Sequence, residues 1–294
     1  MSGQPPSPFA LDQPRAYAAW REARLAAAPT RLAELLVEVD DPRRLRDSER
    51  QAILERVSRA NMALYASNSG GQADSEIPRR LGAQLGLRTL DQHYLADDDG
   101  ISALTVANGG NHADFIPYTD RAIRWHTDGY YNPPPRSIRG LLLHCVRPAT
   151  AGGENQLLDH EIAYILLRDA EPEHIRALSA ADAMTIPARV EADGVARAAQ
   201  SGPVFSVDAQ GRLHMRYTAR KLSIIWKDDA ATRAAVAALE DLLARGTPWS
   251  LRGRLEAGMG LISNNVLHDR SAFSDDAGAP RLLYRARYYE RIED

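Results

Sequence analysis

The sequence predicts a mainly β protein with an α-helical cover, organised as a single domain. Residues 1–15 are rich in Pro, Ser and Gln and predict a flexible arm, whereas apolar side chains recur at helical spacing within residues 16–87. Residues 88–294 instead carry short apolar or alternating runs between turn-forming residues, with a hairpin-type turn at Asp208–Gly211. Many short strands joined by such turns favour a sandwich or a barrel. No internal repeat or linker divides the chain.

Three helical patterns precede the strands, and two more are inserted among them. The first follows Thr30 as a candidate N-cap, the second follows Ser48 in a capping-box pattern and continues through Leu64, and the third ends at Gly86. Helices are also predicted after Asp159 and over residues 229–245. The predicted strands cover residues 102–107, 122–128, 137–147, 155–159, 183–187, 203–207, 212–217, 260–264 and 281–289.

Composition indicates a globular protein that binds a small molecule. The chain has 294 residues and a formal net charge of -3, without a long Lys/Arg run, which argues against nucleic acid or an anionic membrane as the main partner. No apolar run reaches the roughly 18 residues that span a bilayer. The single cysteine, Cys145, cannot form an intramolecular disulfide, and the first residues lack signal-peptide features. The expected location is therefore the cytoplasm.

A candidate metal-binding pair lies at His126 and Asp128. Side chains two residues apart point the same way on an extended strand, so both can reach one metal ion. With a second histidine they would form the facial triad that holds Fe(II) and leaves coordination positions open. A competing pair, His112 and Asp114, follows a glycine-rich turn. The strand pair is preferred because a metal site needs rigid support.

The third ligand must come from the remaining histidines. His144 lies in an apolar run typical of a buried strand, and His214 on a predicted strand is an open candidate for a pocket residue. His268 stands out because it ends a strand and precedes Arg281 by thirteen residues. Arg281, with its planar guanidinium, suits a bidentate grip on a carboxylate. The alternative is an ordinary amphipathic strand with its arginines in water.

The ordered set of these residues resembles the TauD/TfdA family of Fe(II)- and 2-oxoglutarate-dependent dioxygenases. The resemblance rests on His126 and Asp128, on residues 152–155, on His268 and on residues 281–285. It implies a double-stranded β-helix core of the jelly-roll or cupin-like kind. It also implies that Fe(II) is held by the two histidines and the aspartate, and that 2-oxoglutarate and dioxygen take part in the reaction.

The resemblance further implies roles for three residues near the cosubstrate. Arg281 would bind the distal carboxylate of 2-oxoglutarate, and Arg285 would face that cosubstrate or the substrate. Asn155 stands where taurine-oxidising members have a threonine that helps to hold 2-oxoglutarate, and its amide can donate a comparable hydrogen bond. The expected reaction is hydroxylation of an unactivated C–H bond, with release of succinate and carbon dioxide. Family members are often homo-oligomers.

The substrate is less well indicated than the chemistry. Tyr130 and Tyr131 follow the metal-binding pair and are candidates for a substrate wall or for a structural aromatic pair. Aromatic walls would suit a quaternary ammonium, whereas Arg220 and Arg285 would suit an anion. We expect a small anionic or zwitterionic, amino-acid-like substrate. Two alternatives are a non-redox, cupin-like protein that binds a divalent metal or hydrolyses a substrate, and a structural module in which the set is coincidental.

Overall fold

The computed structural model describes residues 7–92, 100–106, 115–191, 194–220, 222, 224–276 and 278–293. Its helices are α1 Pro14–Ala27, α2 Asp47–Ala60, α3 Glu76–Gln84, α4 His160–Ala170, α5 Pro172–Leu178 and α6 Ala230–Arg245. Its strands are β1 Leu36–Glu38, β2 Met62–Ala66, β3 Ile101–Leu104, β4 Ile123–His126, β5 Gly140–Arg147, β6 Ala151–Gly152, β7 Asn155–Leu158, β8 Met184–Ile186, β9 Arg189–Glu191, β10 Gly194–Arg197, β11 Gln200–Gly202, β12 Phe205–Val207, β13 Leu213–Met215, β14 Ile225–Trp226, β15 Leu251–Gly253, β16 Met259–Ser263, β17 Leu267–Arg270, β18 Phe273–Ser274 and β19 Leu282–Tyr288.

Two larger sheets carry the strands that matter for function. The first has the order β1-β2-β16-β5-β19-β3, and the second has the order β15-β7-β17-β4. Their pairings are antiparallel except for the parallel pair of β1 and β2. The chain is thus a mixed α/β structure, mostly sheet, with six α-helices in the part described.

The alternation of side chains along these strands builds three apolar layers. On β5, Leu141 and Leu143 face inward, where they meet Leu157 of the second sheet and Leu283 of β19. Leu142 points to the opposite face and packs with helices α2 and α3. Leu158 likewise turns away from Leu157 to join α4, α5 and α6. The period of two therefore places one core between the sheets and one helical layer outside each of them.

The N-terminal segment differs in three respects from the sequence-based expectation. Helix α1 was not predicted, the leucines after Thr30 form a single 3-10 turn and strand β1, and helix α2 ends at Ala60 instead of continuing through Leu64. The cause at α2 is Asn61, whose left-handed backbone (φ 56°) terminates the helix and starts β2. The region predicted as a helical cover thus also adds two strands to the first sheet.

Other local features also depart from the predictions. Helix α2 is capped through Glu49, whose carboxylate accepts a bond from the Arg46 N–H, and not through Ser48. Helix α5 was not predicted at all. The described part of the predicted arm is packed: the Phe9 ring lies 5.0 Å from that of Trp20, and Arg168 donates to the Pro8 carbonyl at 2.7 Å. None of the helices in the described ranges is long and apolar enough to cross a membrane.

Candidate metal centre and substrate cavity

Two histidines face each other across neighbouring strands of the second sheet. His126 ends β4, and His268 on β17 is its direct antiparallel partner. Directly opposed residues point to the same face, so both imidazoles project into one cleft, with ring centroids 4.2 Å apart. A register shift between His268 and Arg270 ends this regular pairing. The sheet register, set by residues far apart in sequence, therefore creates the histidine pair.

Asp128 completes the set from the turn that follows β4. Its backbone is fixed by Asn265, whose Oδ1 accepts from the Asp128 N–H at 2.8 Å and whose Nδ2 donates to the Asp128 carbonyl at 2.9 Å. The same amide donates to the Ile138 carbonyl at 2.7 Å. Asn265 holds a left-handed backbone (φ 54°), which asparagine tolerates better than most residues. Gly129 turns the chain next, where a Cβ would lie 2.3 Å from Ile138.

The three side chains present donors suited to a divalent metal ion. One ligand atom from each of His126, Asp128 and His268 lies within 4.8 Å of the others. The Nδ1 atoms of the two histidines bond the carbonyls of Arg124 and Val266, both at 2.9 Å, so each Nδ1 carries the proton and each Nε2 lone pair is left for a metal. Asp128 Oδ1 lies 3.3 Å and 3.7 Å from these Nε2 atoms.

Electrostatics also prepare the set for a cation. Burial lowers the pKa of His268 to about 4, so its imidazole is neutral at physiological pH. Burial alone would raise the pKa of Asp128, but the charges of Arg285 and Arg287 hold it well below its ordinary value. Asp128 Oδ2 is 3.2 Å from Arg285 Nη1, at ion-pair distance, yet it makes no well-formed hydrogen bond. A buried carboxylate in this state fits the role of a metal ligand.

Arg281 lies deeper, beside the core between the sheets. It is 5% exposed, and its guanidinium lies 5.0 Å from the centroid of Phe273, with no carboxylate at ion-pair distance in the described chain. Arg270 lies 4.8 Å from the same ring. Burial and the charge of Arg281 lower the pKa of Arg270 to about 9. Two buried guanidiniums without a carboxylate at ion-pair distance among the described residues make this a favourable place for a dicarboxylate.

Asn155 lies on β7, opposite Gly253 of β15. Its Nδ2 donates to the backbone carbonyl of Asp269 at 2.7 Å, next to His268. The Asp269 carboxylate accepts from the Gln156 N–H at 2.8 Å. Asn155 thus ties β7 to the strand that carries His268.

A cavity of about 560 Å³ opens in front of His126 and Asp128. All four residues predicted to contact the substrate line this cavity, namely Tyr130, Tyr131, Arg220 and Arg285. Four further arginines on its wall were not predicted as site residues, whereas Asp128 is its only carboxylate among the described residues. These four arginines are Arg124, Arg189, Arg197 and Arg287.

Asp91 is a further residue that the sequence did not reveal. It is 1% exposed and accepts from Arg287 at 2.6 Å and from the Tyr289 hydroxyl at 2.7 Å. Arg287 also donates to the Tyr131 hydroxyl at 2.8 Å. Asp91 thereby anchors one wall of the cavity to β19. The only sequence signal for this part of the wall was the alternation of side chains along the predicted strand 281–289, which puts Arg287 on the same face as Arg281 and Arg285.

The other histidine candidates lie elsewhere. His144 is a fully buried core residue that bonds the Tyr65 hydroxyl at 2.8 Å, as its apolar context predicted. His214 does not line the cavity; burial lowers its pKa to about 3, and His160 is among its neighbours. The competing pair, His112 and Asp114, lies outside the described residues.

Sequence comparisons agree with this geometry. A family model described as taurine catabolism dioxygenase TauD, TfdA family, matches residues 34–287. A uridine-5'-phosphate dioxygenase of Streptomyces is 34% identical over 199 residues, which cover 65% of this chain and 69% of that protein. A second enzyme of the same name, from Amycolatopsis, is 32% identical over 171 residues, covering 56% of this chain and 60% of that protein.

A comparison of structures extends the similarity to most of the chain. An asparagine oxygenase in complex with Fe(II), hydroxyasparagine and succinate superimposes with a TM-score of 0.59 over 86% of this chain and 93% of that one, at 11% identity. At this identity the likeness concerns the fold. The family match, together with the triad of His126, Asp128 and His268, favours a 2-oxoglutarate-dependent dioxygenase over a non-redox metal protein or a structural module. The chain belongs to the TauD/TfdA family of Fe(II)- and 2-oxoglutarate-dependent dioxygenases.

Proposed function

We propose that this dioxygenase oxidises a C–H bond of a nucleoside 5'-phosphate or a closely similar phosphate monoester. The observation that carries the proposal is the charge of the cavity, where six arginines and a single carboxylate are found among the described lining residues. The carboxylate, Asp128, is committed to the metal centre. A substrate with net negative charge would balance the excess. Both similar sequences are named as uridine-5'-phosphate dioxygenases.

The proposed residue roles follow the positions of the side chains. His126, Asp128 and His268 would hold Fe(II), which together with 2-oxoglutarate and dioxygen supplies the oxidising power and releases succinate and carbon dioxide. Arg281 would bind the distal carboxylate of 2-oxoglutarate, with Asn155 nearby. Arg285 would orient Asp128 and face the substrate, and this chain's aromatic and apolar wall would exclude water from the reacting carbon.

A small amino acid is the second candidate. The fold resembles that of an asparagine oxygenase, and an amino acid substrate also agrees with the sequence-based expectation. An amino acid carries one ammonium and at least one carboxylate, so a neutral zwitterion would leave the positive charge of the cavity uncompensated. The described wall also offers no carboxylate other than Asp128 for the ammonium. Charge therefore favours the phosphate monoester.

The arrangement of the chain supports three further proposals, on the core fold, the domain organisation and the cellular location. Two facing sheets with metal-binding histidines on neighbouring strands support a double-stranded β-helix core. The apolar layers shared between the sheets and the helices support a single dioxygenase domain. A lone, buried and unpaired Cys145 is in keeping with the cytoplasm.

Substrate-dependent release of succinate tests the substrate class. The holoenzyme would be assayed with uridine 5'-phosphate, uridine, asparagine and arginine under the same conditions. We expect uridine 5'-phosphate to give the highest kcat/KM. A preference for either amino acid would assign the enzyme to the second candidate, and equal rates for all four compounds would remove the charge argument.

Replacement of Arg281 tests the cosubstrate site. Arg281→Met should weaken 2-oxoglutarate binding by about 2–5 kcal/mol, because a buried bidentate contact with a carboxylate is lost. Fe(II) affinity should change little. Anaerobic titration of the Fe(II)-loaded protein, followed through the visible charge-transfer band of the 2-oxoglutarate complex, measures the first quantity. Arg245→Met, at the exposed end of α6, is the matched control, and equal affinities in the two variants would place the clamp elsewhere.

A further inference from the structure

We propose that the phosphate of the substrate binds at an anion subsite formed by the Tyr130 hydroxyl and the guanidinium groups of Arg197 and Arg220. This inference rests on the proposed function and locates one end of the substrate in the cavity. All three residues line the cavity wall. The subsite shares this cavity with His126 and Asp128 but includes none of the metal ligands.

Arg197 and Arg220 are among the cavity arginines that no described carboxylate balances. Arg285 lies 3.2 Å from Asp128, and Arg287 lies 2.6 Å from Asp91, so both already have a counter-charge. Arg197 and Arg220 have no carboxylate at ion-pair distance within the ranges that the structure describes. A phosphate monoester carries up to two negative charges and several acceptor oxygens, which match two guanidiniums better than a single carboxylate does.

Arg197 is held in place without using its charge. Its Nη2 donates to the Pro187 carbonyl at 2.9 Å, and its guanidinium lies 5.2 Å from the Tyr131 ring centroid. Its Nε is buried and makes no hydrogen bond in the described chain. The contacts with Pro187 and Tyr131 therefore orient the side chain, while donor groups remain for a ligand.

Tyr130 provides a neutral hydrogen-bond donor near the two cations. Its ring meets that of Tyr131 at 5.2 Å in an edge-to-face contact, which fixes the hydroxyl on the cavity wall. The charges of Arg220 and Arg197 both act on the Tyr130 hydroxyl, so the hydroxyl lies near the two guanidinium groups. As a phenol, the hydroxyl is a hydrogen-bond donor. It can donate to a phosphate oxygen that both guanidiniums neutralise.

The test compares uridine 5'-phosphate with uridine in the holoenzyme. For the wild type we expect a higher kcat/KM with the phosphate ester. Arg197→Gln and Arg220→Gln should each lower the ratio of the two kcat/KM values at least tenfold, mainly through KM for the ester, and inorganic phosphate should lose potency as a competitive inhibitor. Arg176→Gln, an exposed arginine on α5, is the matched control.

Tyr130→Phe keeps the ring packing and removes only the hydroxyl, so it serves where an arginine variant fails to fold. It should lower the same ratio several-fold. If the wild type prefers the ester and all three variants keep the wild-type ratio of the two kcat/KM values, the subsite is wrong and the proposed function stands. If the wild type prefers an amino acid or does not distinguish the ester from uridine, the proposed function fails and the subsite falls with it.

Discussion

The two ends of the substrate cavity are built in different ways. At the metal end, His126 and His268 are cross-strand partners, and the Asn265 amide fixes the backbone around Asp128 and Ile138 by accepting one hydrogen bond and donating two. At the open end, Tyr130 and Arg220 follow the strands on loops, and Arg197 closes a two-stranded ribbon. The sheet thus fixes the candidate metal ligands, whereas in the proposed function loops that can vary without disturbing them would select the substrate.

The largest effect is expected at the metal end. His268→Ala removes one of three candidate ligands and should weaken Fe(II) binding by at least about a hundredfold, beyond the effect usual for residues that only support a ligand. The fold should remain intact because the His268 ring contacts the other two candidate ligands, His126 and Asp128. Anaerobic competition with a chromogenic chelator measures the affinity.

His174→Ala is the control for this change. His174 lies on helix α5, far in sequence from the metal centre, and forms no part of the cavity wall. Equal Fe(II) affinity of the two alanine variants would contradict the assignment of His268 and reopen the choice of the third ligand.

A smaller effect is expected at Asn265, which supports the metal end from behind. Asn265→Ala leaves the Asp128 N–H and two carbonyls without their partner and places alanine in a left-handed conformation. The free energy of unfolding should fall by about 2–3 kcal/mol, and Fe(II) affinity should fall as Asp128 loses its orientation. Urea unfolding and the chelator competition measure the two effects.

Asn265→Gly separates the backbone from the side chain. Glycine accepts the φ of 54° without strain but has no amide. We expect it to recover part of the stability and none of the Fe(II) affinity. Full recovery of both would show that the backbone conformation, and not the amide, positions Asp128.

The metal end could be predicted from the sequence because its signals are local. Two ligands separated by one residue on a strand need only the alternation of side chains, and His268 is marked by its strand end and by Arg281. The pairing of His126 with His268 is not local, since it depends on the order of strands in the second sheet. The family resemblance supplied that part of the fold.

The open end could not be predicted in the same way. Arg197 belongs to the ribbon of β9 and β10, and no motif connects it with Tyr131, 66 residues earlier in the chain. Asp91 likewise reaches Arg287 across the fold. At the N-terminus, helical periodicity through Leu64 was overridden by the left-handed Asn61. Long-range pairs and single backbone conformations thus account for most of what the sequence concealed.

The smallest effect is expected at His144, a buried core histidine that is not a candidate metal ligand. Burial lowers the pKa of His144 to about 4, so the folded protein keeps it neutral while the unfolded chain takes up a proton below about pH 6.5. Its contribution to stability is thus fully present above that pH and is lost as the pH falls toward 4, at up to about 1.4 kcal/mol per pH unit.

His144→Gln removes this titration and leaves an amide oxygen that can accept from the Tyr65 hydroxyl. Between pH 6.5 and 5, the free energy of unfolding of the variant should therefore fall less steeply than that of the wild type, by about 1 kcal/mol per pH unit. Urea unfolding of the metal-free proteins at several pH values measures both slopes. Because His126 and His268 are present in both proteins, their titration cancels in the difference. Parallel curves would mean that the titration of His144 does not contribute to the loss of stability in acid.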